Sequence, residues 1–255
     1  MAEPCLRLIQ VTDMHLQDRP EIEMRGVNPE ERFLAVMDEV SLQKADMLLL
    51  TGDLTHHSKP AYQRLSTYLQ HLTFPSYWIP GNHDLTGEMF KFADCGYGRK
   101  VVEQGGWRIL LLDSSSSPDG RGSGSLSEAE LDFLSTELEE TAHSQNVLLV
   151  LHHNPVSVNS EWQDAIMLAN ADQFWSIVER YPQVKGVMFG HVHQAWQLER
   201  NNLKLFSCPA TAAQFKSCTA SSETENIPEL SGPAYAIYEL HENGLITQKV
   251  KRLTL

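Results

Sequence analysis

The stretch LRLIQVTDMH, residues 6–15, decides how this chain is read. Its first six residues form an apolar run that predicts a buried strand, and the run stops at Thr12 and Asp13. Just past the stop stand a carboxylate, Asp13, and an imidazole, His15, two positions apart. In an extended segment such residues point the same way, so the pair can converge on one cation.

The same event recurs along the chain. Residues 47–50 predict a strand ending at Thr51, Gly52 and Asp53, and residues 76–79 predict one ending at Pro80, Gly81, Asn82, His83 and Asp84. Three more strands are predicted over 107–112, 147–151 and 184–189. The last two end at His152 and His153, and at Gly190, His191, Val192 and His193. Helical patterns lie between them. Asn28 caps one, with Pro29 in its first turn and Glu31 completing a capping-box-like pair, and Phe33, Leu34, Met37 and Val40 recur at helical spacing. Further helices are predicted over 61–72, 127–140 and 171–181, and the Ser/Gly-rich residues 114–125 predict a mobile loop. Strand followed by helix predicts an α/β chain with a largely parallel core covered on its faces. After His193 the pattern changes to hairpins, 195–199 with 203–207 and 234–240 with 247–253, so the sheets are mixed. With no internal repeat and no Pro-rich linker, residues 1–255 read as a single domain.

Composition narrows the function classes. The 255 residues include 20 Lys+Arg and 33 Asp+Glu, a formal net charge of −13, which argues against capture of long nucleic acid. Solubility is the simplest reading of that charge. No apolar run approaches the roughly 18 residues of a membrane helix. Residues 1–5 lack the basic segment and apolar core of a secretory signal. Cys5, Cys95, Cys208 and Cys218 form no CxxC pair, and a reducing, cytoplasmic setting is expected.

Clusters of Asp, Asn and His at successive strand ends stand where open α/β sheets place their ligands. Their hard oxygens and imidazoles suit two metal ions. Gly52, Gly81 and Gly190 precede the clusters, where a missing side chain lets the backbone approach an ion.

The ordered set Asp13-x-His15, Gly52-Asp53, Gly81-Asn82-His83-Asp84, His152, Gly190-His191-x-His193 resembles that of the calcineurin-like metallophosphoesterases. Finer features resemble the bacterial class III 3′,5′-cyclic-nucleotide phosphodiesterases, which act on cyclic AMP. These are the short loop to Gly26-Val27-Asn28, the run from Trp78 to Asp84, Leu111-Leu112-Asp113-Ser114, Gln194 after His193, and Gln214-Phe215-Lys216. The resemblance implies a four-layer αββα sandwich with two mixed β-sheets and a dinuclear centre between them. It implies one ion on Asp13, His15 and His193, a second on Asn82, His152 and His191, and Asp53 bridging both. Iron or manganese is expected, with zinc, cobalt and nickel also suited to such ligands. The expected reaction is attack of metal-bound hydroxide on phosphorus, with the 3′ oxygen leaving to give 5′-AMP. Substrate contacts are expected from His15, Asp53, Asn82, His83 and His193. His83 is the expected general acid, with Asp84 orienting it.

The partner is then a small cyclic nucleotide or phosphodiester, not nucleic acid or a membrane, and a homodimer is compatible with the sequence. One rival is a broader phosphodiesterase or phosphatase acting on 2′,3′-cyclic nucleotides, glycerophosphodiesters or nucleotide pyrophosphates; another is a non-catalytic metal-binding scaffold. Among the remaining residues, strand alternation turns His153 away from the site, and His56 and His57 read as a solvated loop. His71, His143 and His241 read as surface. Trp162 and Met167 are candidates for a base pocket, while helix packing accounts for Trp175. Gln214 and Phe215 read either as closing over substrate or as a dimer contact. Asp113-Ser114-Ser115 lacks the G-x-S-x-G setting of a nucleophilic serine.

Overall fold

A computed structural model describes residues 5–255, so the reading of residues 1–4 lies outside the described residues. The strands are β1 (Cys5–Val11), β2 (Met47–Thr51), β3 (Ser76–Ile79), β4 (Val101–Gln104), β5 (Trp107–Leu111), β6 (Asn146–Val150), β7 (Val184–Phe189), β8 (Gln197–Arg200), β9 (Leu203–Ser207), β10 (Ala234–His241) and β11 (Ile246–Arg252). They form a five-stranded sheet, β11-β10-β1-β2-β3, and a six-stranded sheet, β4-β5-β6-β7-β9-β8. Both are mixed: β1, β2 and β3 run parallel and β10 antiparallel, while β5, β6, β7 and β9 run parallel between antiparallel β4 and β8.

Three apolar layers alternate with the sheets. Leu8, Leu49 and Tyr238 of the first sheet meet Ile109, Leu148 and Met188 of the second. On its other face the first sheet packs Ile9, Leu48 and Leu50 against helices α1 (Pro29–Ser41) and α2 (Lys59–Leu69). The second packs Val147, Leu149 and Val187 against α3 (Glu128–Glu140) and α4 (Ala171–Val178). The result is the expected αββα sandwich. Strands covered on both faces read as unbroken apolar runs, which is why MLLLT and NVLLV are buried throughout.

Register positions the site. Val11 pairs with Leu50, so Asp13 and His15 come level with the residues after β2: Asp13 N donates to Gly52 O (3.1 Å) and His15 N to Asp53 O (2.9 Å). A slip of one residue would exchange the buried faces of β1, so the core fixes this alignment. Beneath the strand ends, buried Gln10 ties the sheets together. Its Nε2 donates to Thr51 Oγ1 (2.8 Å) and across to Phe189 O (2.9 Å), and the Tyr238 hydroxyl donates to its Oε1 (2.7 Å).

Some local expectations are corrected. In α1 the buried face is Phe33, Val36, Met37 and Val40, with Leu34 only half-buried. Ser58, not a residue nearer Ala61, caps α2 by accepting from Ala61 N (3.3 Å). Strand β4 was not anticipated; it pairs with β5 across Gly105 and Gly106, both at positive φ. The loop over 114–125 is tied down, with Ser116 and Ser125 exchanging both backbone hydrogen bonds.

Candidate metal centre

The predicted metal ligands do not converge by strand alternation. Asp13 (φ 52°), His15 (φ 47°), Asp53 (φ 50°), His191 (φ 69°) and His193 (φ 54°) all occupy the left-handed region. Each such residue costs on the order of 1–3 kcal/mol locally and persists only where its surroundings impose it. Here the imposition comes from backbone pairing between strand ends, including Thr211 N to Thr12 O (3.1 Å) and Ala212 N to Asp13 O (3.3 Å). Two glycines make room. A Cβ on Gly52 would lie 2.3 Å from His152 Nδ1, and one on Gly81 would lie 2.3 Å from Asp53 Oδ1.

The turns gather Asp13, His15, Asp53, Asn82, His152, His191 and His193 into one buried cluster between the sheets. Asp53 Oδ2 lies 3.6 Å from His15 Nε2 and 3.5 Å from His152 Nε2, while its Oδ1 accepts from His83 N (2.8 Å). Asn82 Oδ1 is 3.2 Å from His152 Nε2. On the other side, His193 Nε2 is 3.2 Å from His15 Nε2 and 3.3 Å from Asp13 Oδ1. Asp13 Oδ2 accepts from Thr12 Oγ1 (2.8 Å) and His191 N (3.0 Å). The far ring nitrogens are anchored: His152 Nδ1 donates to Thr51 O (2.8 Å) and His193 Nδ1 to Ala213 O (2.6 Å). A ring that donates from Nδ1 keeps its Nε2 lone pair for a metal.

Electrostatics agree with the geometry. Burial opposes ionisation of Asp13, but His193 beside it holds the carboxyl at about 2. Burial opposes Asp53 too, and His152 overrides it, so this carboxyl stays well below the usual range. His152 would be lowered by burial, yet Asp53 pushes it up to about 9, so a cation bound there displaces a proton. Burial, reinforced by His152, brings His191 down to about 3 and leaves it neutral.

Asp84 is not where the sequence reading placed it. Its Oδ1 accepts from Thr55 N (3.1 Å) and the Tyr62 hydroxyl (2.7 Å), and its Oδ2 from Leu54 N (3.0 Å) and Gly81 N (2.9 Å). Both oxygens are used to lock the β2 and β3 end loops together, and neither reaches the His83 ring. That ring instead meets His57, Nδ1 to Nε2 at 3.1 Å, and stacks on His56 at 4.4 Å between centroids. His56 Nδ1 is also 3.5 Å from His15 Nδ1. The expected solvated loop therefore belongs to the rim of the site.

His153 lies beside His191 but is committed elsewhere: its Nε2 donates to Gly122 O (3.1 Å) and its Nδ1 accepts from the buried Ser114 hydroxyl (2.8 Å). A turn, not strand alternation, aims it there. Gln214 is buried and donates to Ala210 O (2.6 Å) and Ala212 O (3.3 Å), bracing the turn beneath Asp13. Phe215 packs between His193 (4.5 Å), Trp162 (4.9 Å) and the Arg25 guanidinium (4.9 Å). Trp175 packs in the core and donates to Pro155 O (2.8 Å). Thr12 and Tyr62, which hold Asp13 and Asp84, carried no sequence signal beyond their positions near the motifs.

A dinuclear centre fits these residues. Asp13 Oδ1 and His191 Nε2 are buried atoms without a hydrogen bond, and Asp53 Oδ2 faces two imidazole nitrogens at matching distances.

Residues 6–195 match the sequence model of the calcineurin-like phosphoesterases, and the chain belongs to that family. A 3′,5′-cyclic-nucleotide phosphodiesterase of Nostoc sp. is 36% identical over 253 residues, spanning 97% of this chain and 92% of the relative. The 3′,5′-cyclic adenosine monophosphate phosphodiesterase CpdA of Escherichia coli K12 is 33% identical over 257 residues, spanning 98% and 91%. Among solved structures, a dimetal phosphatase from Danio rerio matches in fold with a TM-score of 0.75 over 98% of this chain and 97% of its own, at 13% identity. Family membership brings a dinuclear metal site, for which the structure holds candidate Asp and His groups, and the similar bacterial enzymes are named for a small phosphodiester substrate. Among the described residues no helix is long and apolar enough to cross a membrane.

Proposed function

We propose that the chain is a metal-dependent phosphodiesterase that opens 3′,5′-cyclic nucleotides, converting cyclic AMP to 5′-AMP. The observation that carries this reading is Asp53 Oδ2, nearly equidistant from His15 Nε2 and His152 Nε2 with free donor atoms on either side. Asp13, His15 and His193 would hold one ion, Asn82, His152 and His191 the other, and Asp53 would bridge them. Iron and manganese suit this mixed oxygen and imidazole set. When bound, the pair of ions supplies a nucleophile at neutral pH and neutralises phosphoryl charge.

The chain's own residues supply the rest. The left-handed turns hold the donor atoms at fixed separations. The His83 backbone amide pins Asp53 Oδ1 at 2.8 Å, so only Oδ2 faces the ions. The His83 ring lies edge-on to His15 at 5.0 Å between centroids, and in this reading it delivers a proton to the departing 3′ oxygen. The acidic exterior disfavours long polyanions and favours a small anion drawn to a locally positive cleft. The names of the similar bacterial enzymes support the cyclic nucleotide as substrate. Cysteines without paired spacing support a reducing, cytoplasmic setting.

The test is turnover of 3′,5′-cyclic AMP, 2′,3′-cyclic AMP and an aryl phosphodiester by protein loaded with iron or manganese. Preferred hydrolysis of the 3′,5′ ring is expected. Turnover of the aryl ester alone would remove the cyclic nucleotide, and no turnover with both ions bound would leave a binding scaffold.

A further inference from the structure

His57 is unused by the catalytic reading above, yet its placement is costly and specific. Its backbone is left-handed (φ 56°), its amide donates to His83 O (2.9 Å), and its Nε2 lies 3.1 Å from His83 Nδ1. The next residue, Ser58, caps α2 and donates its own amide to the Thr55 hydroxyl oxygen (3.3 Å), so His57 is held from both sides. Among the described residues the His83 ring bonds no carboxylate, and Asp84 beside it spends both oxygens on Leu54, Thr55, Gly81 and Tyr62. On the rim the His83 ring is therefore gripped by two imidazoles: His57 at its Nδ1 edge and His56 stacked on its face, 26° from parallel.

We propose that His57 is the positioning residue for His83, accepting the His83 Nδ1–H so that Nε2 is the nitrogen presented to the cleft. The proposal rests on the phosphodiesterase reading. Rotating the ring by half a turn would put carbon Cδ2 against His57 Nε2 and lose the hydrogen bond, and the His56 stack restricts tilting. General-acid delivery requires His83 to enter the step protonated on both nitrogens, against the burial that lowers its pKa. As the P–O3′ bond breaks, its electron pair goes to O3′, which takes the Nε2 proton. His83 is left neutral, still donating Nδ1–H to His57, and solvent returns a proton to Nε2 for the next turnover. His57 only accepts from Nδ1–H and exchanges no proton in the cycle.

The experiment compares wild type, His57→Ala, His57→Gln and His83→Ala on two substrates, cyclic AMP and bis(p-nitrophenyl) phosphate. The aryl leaving group departs without a proton, so it reports everything except general-acid delivery. His57→Ala should lower kcat for cyclic AMP by about 10–100-fold, as losing the partner of a working imidazole does, with KM within about 2-fold. Aryl-ester turnover and metal content should be unchanged. His57→Gln, whose Oε1 can accept from Nδ1–H, should recover most of the rate. Independently of activity, 15N spectra of histidine side chains in the metal-free protein should show neutral His83 protonated on Nδ1 in wild type and losing that preference in His57→Ala. Equal losses on both substrates, failed rescue by glutamine, or a wild-type His83 protonated on Nε2 would each overturn the proposal. If His57→Ala keeps its full cyclic AMP rate while His83→Ala loses it, the positioning role falls and the general acid stands. A fully active His83→Ala overturns the catalytic reading, and the spectra alone then decide the tautomer.

Discussion

His152 and His193, on the floor of the site, each tie Nδ1 to a backbone carbonyl, at 2.8 Å on Thr51 and 2.6 Å on Ala213. His83 and His57, on the rim, tie to each other. A carbonyl can only accept, so a floor ring is fixed with its Nδ1–H outward and its Nε2 facing inward. An imidazole can accept or donate, so a rim ring keeps a proton that can move. Burial follows the same division: His152 is wholly inaccessible and His193 is 4% exposed, whereas His83 is half-buried and His57 exposed. In these four rings the side-chain type is the same, and the hydrogen-bond partner differs with the role proposed for each.

Substitutions test that division, and the floor should give the largest effect. Asp53→Ala removes the oxygen shared by both halves and should abolish two-metal binding, with turnover falling on the order of 10⁴-fold or more, since each 1.36 kcal/mol of lost transition-state stabilisation is tenfold in rate. Elemental analysis checks it, and an unchanged content of two ions would break the bridging assignment. On the rim, His83→Ala should keep both ions while slowing cyclic AMP hydrolysis by roughly 10²–10⁴-fold. Lost metal in that variant would erase the distinction between floor and rim. Asp84→Ala touches neither ion nor proton directly and should act on stability. It deletes the acceptor for three backbone amides and Tyr62, at about 2–3 kcal/mol, a melting point lower by several degrees. Calorimetry reads the loss, and an unaltered Tm would mean that the lock between the β2 and β3 loops carries no weight.

The strands were legible because burial on both faces leaves an apolar run that only a covered sheet accommodates, as in residues 47–50 and 147–150. The ligand residues were legible because chemistry restricts them to Asp, Asn and His at strand ends. How they converge was not. Alternation along an extended strand predicts the pairing of Asp13 with His15, but the chain achieves it through left-handed turns imposed by the end of β2 and the residues after it, 38–39 positions away in sequence. Asp84 and His57 were misplaced for a related reason. A carboxylate beside a catalytic imidazole suggests a local pair, but whether the Asp84 side chain turns toward His83 or toward the β2 end loop depends on amides at Leu54 and Thr55 that compete for it. Strand β4 was missed because VVEQ is too short and half-exposed to leave a pattern.

The proposed ligands come from both leaves of the sandwich: Asp13, His15, Asp53 and Asn82 follow strands of the first sheet, and His152, His191 and His193 follow strands of the second. Gln10 spans that seam beneath them through its side-chain amide. Ions held by these residues would add coordination bonds across the same line and serve as a mechanical clasp as well as a chemical tool. Pulling the leaves apart would then strain ligands before it exposed core, and resistance to force at this seam would report metal occupancy.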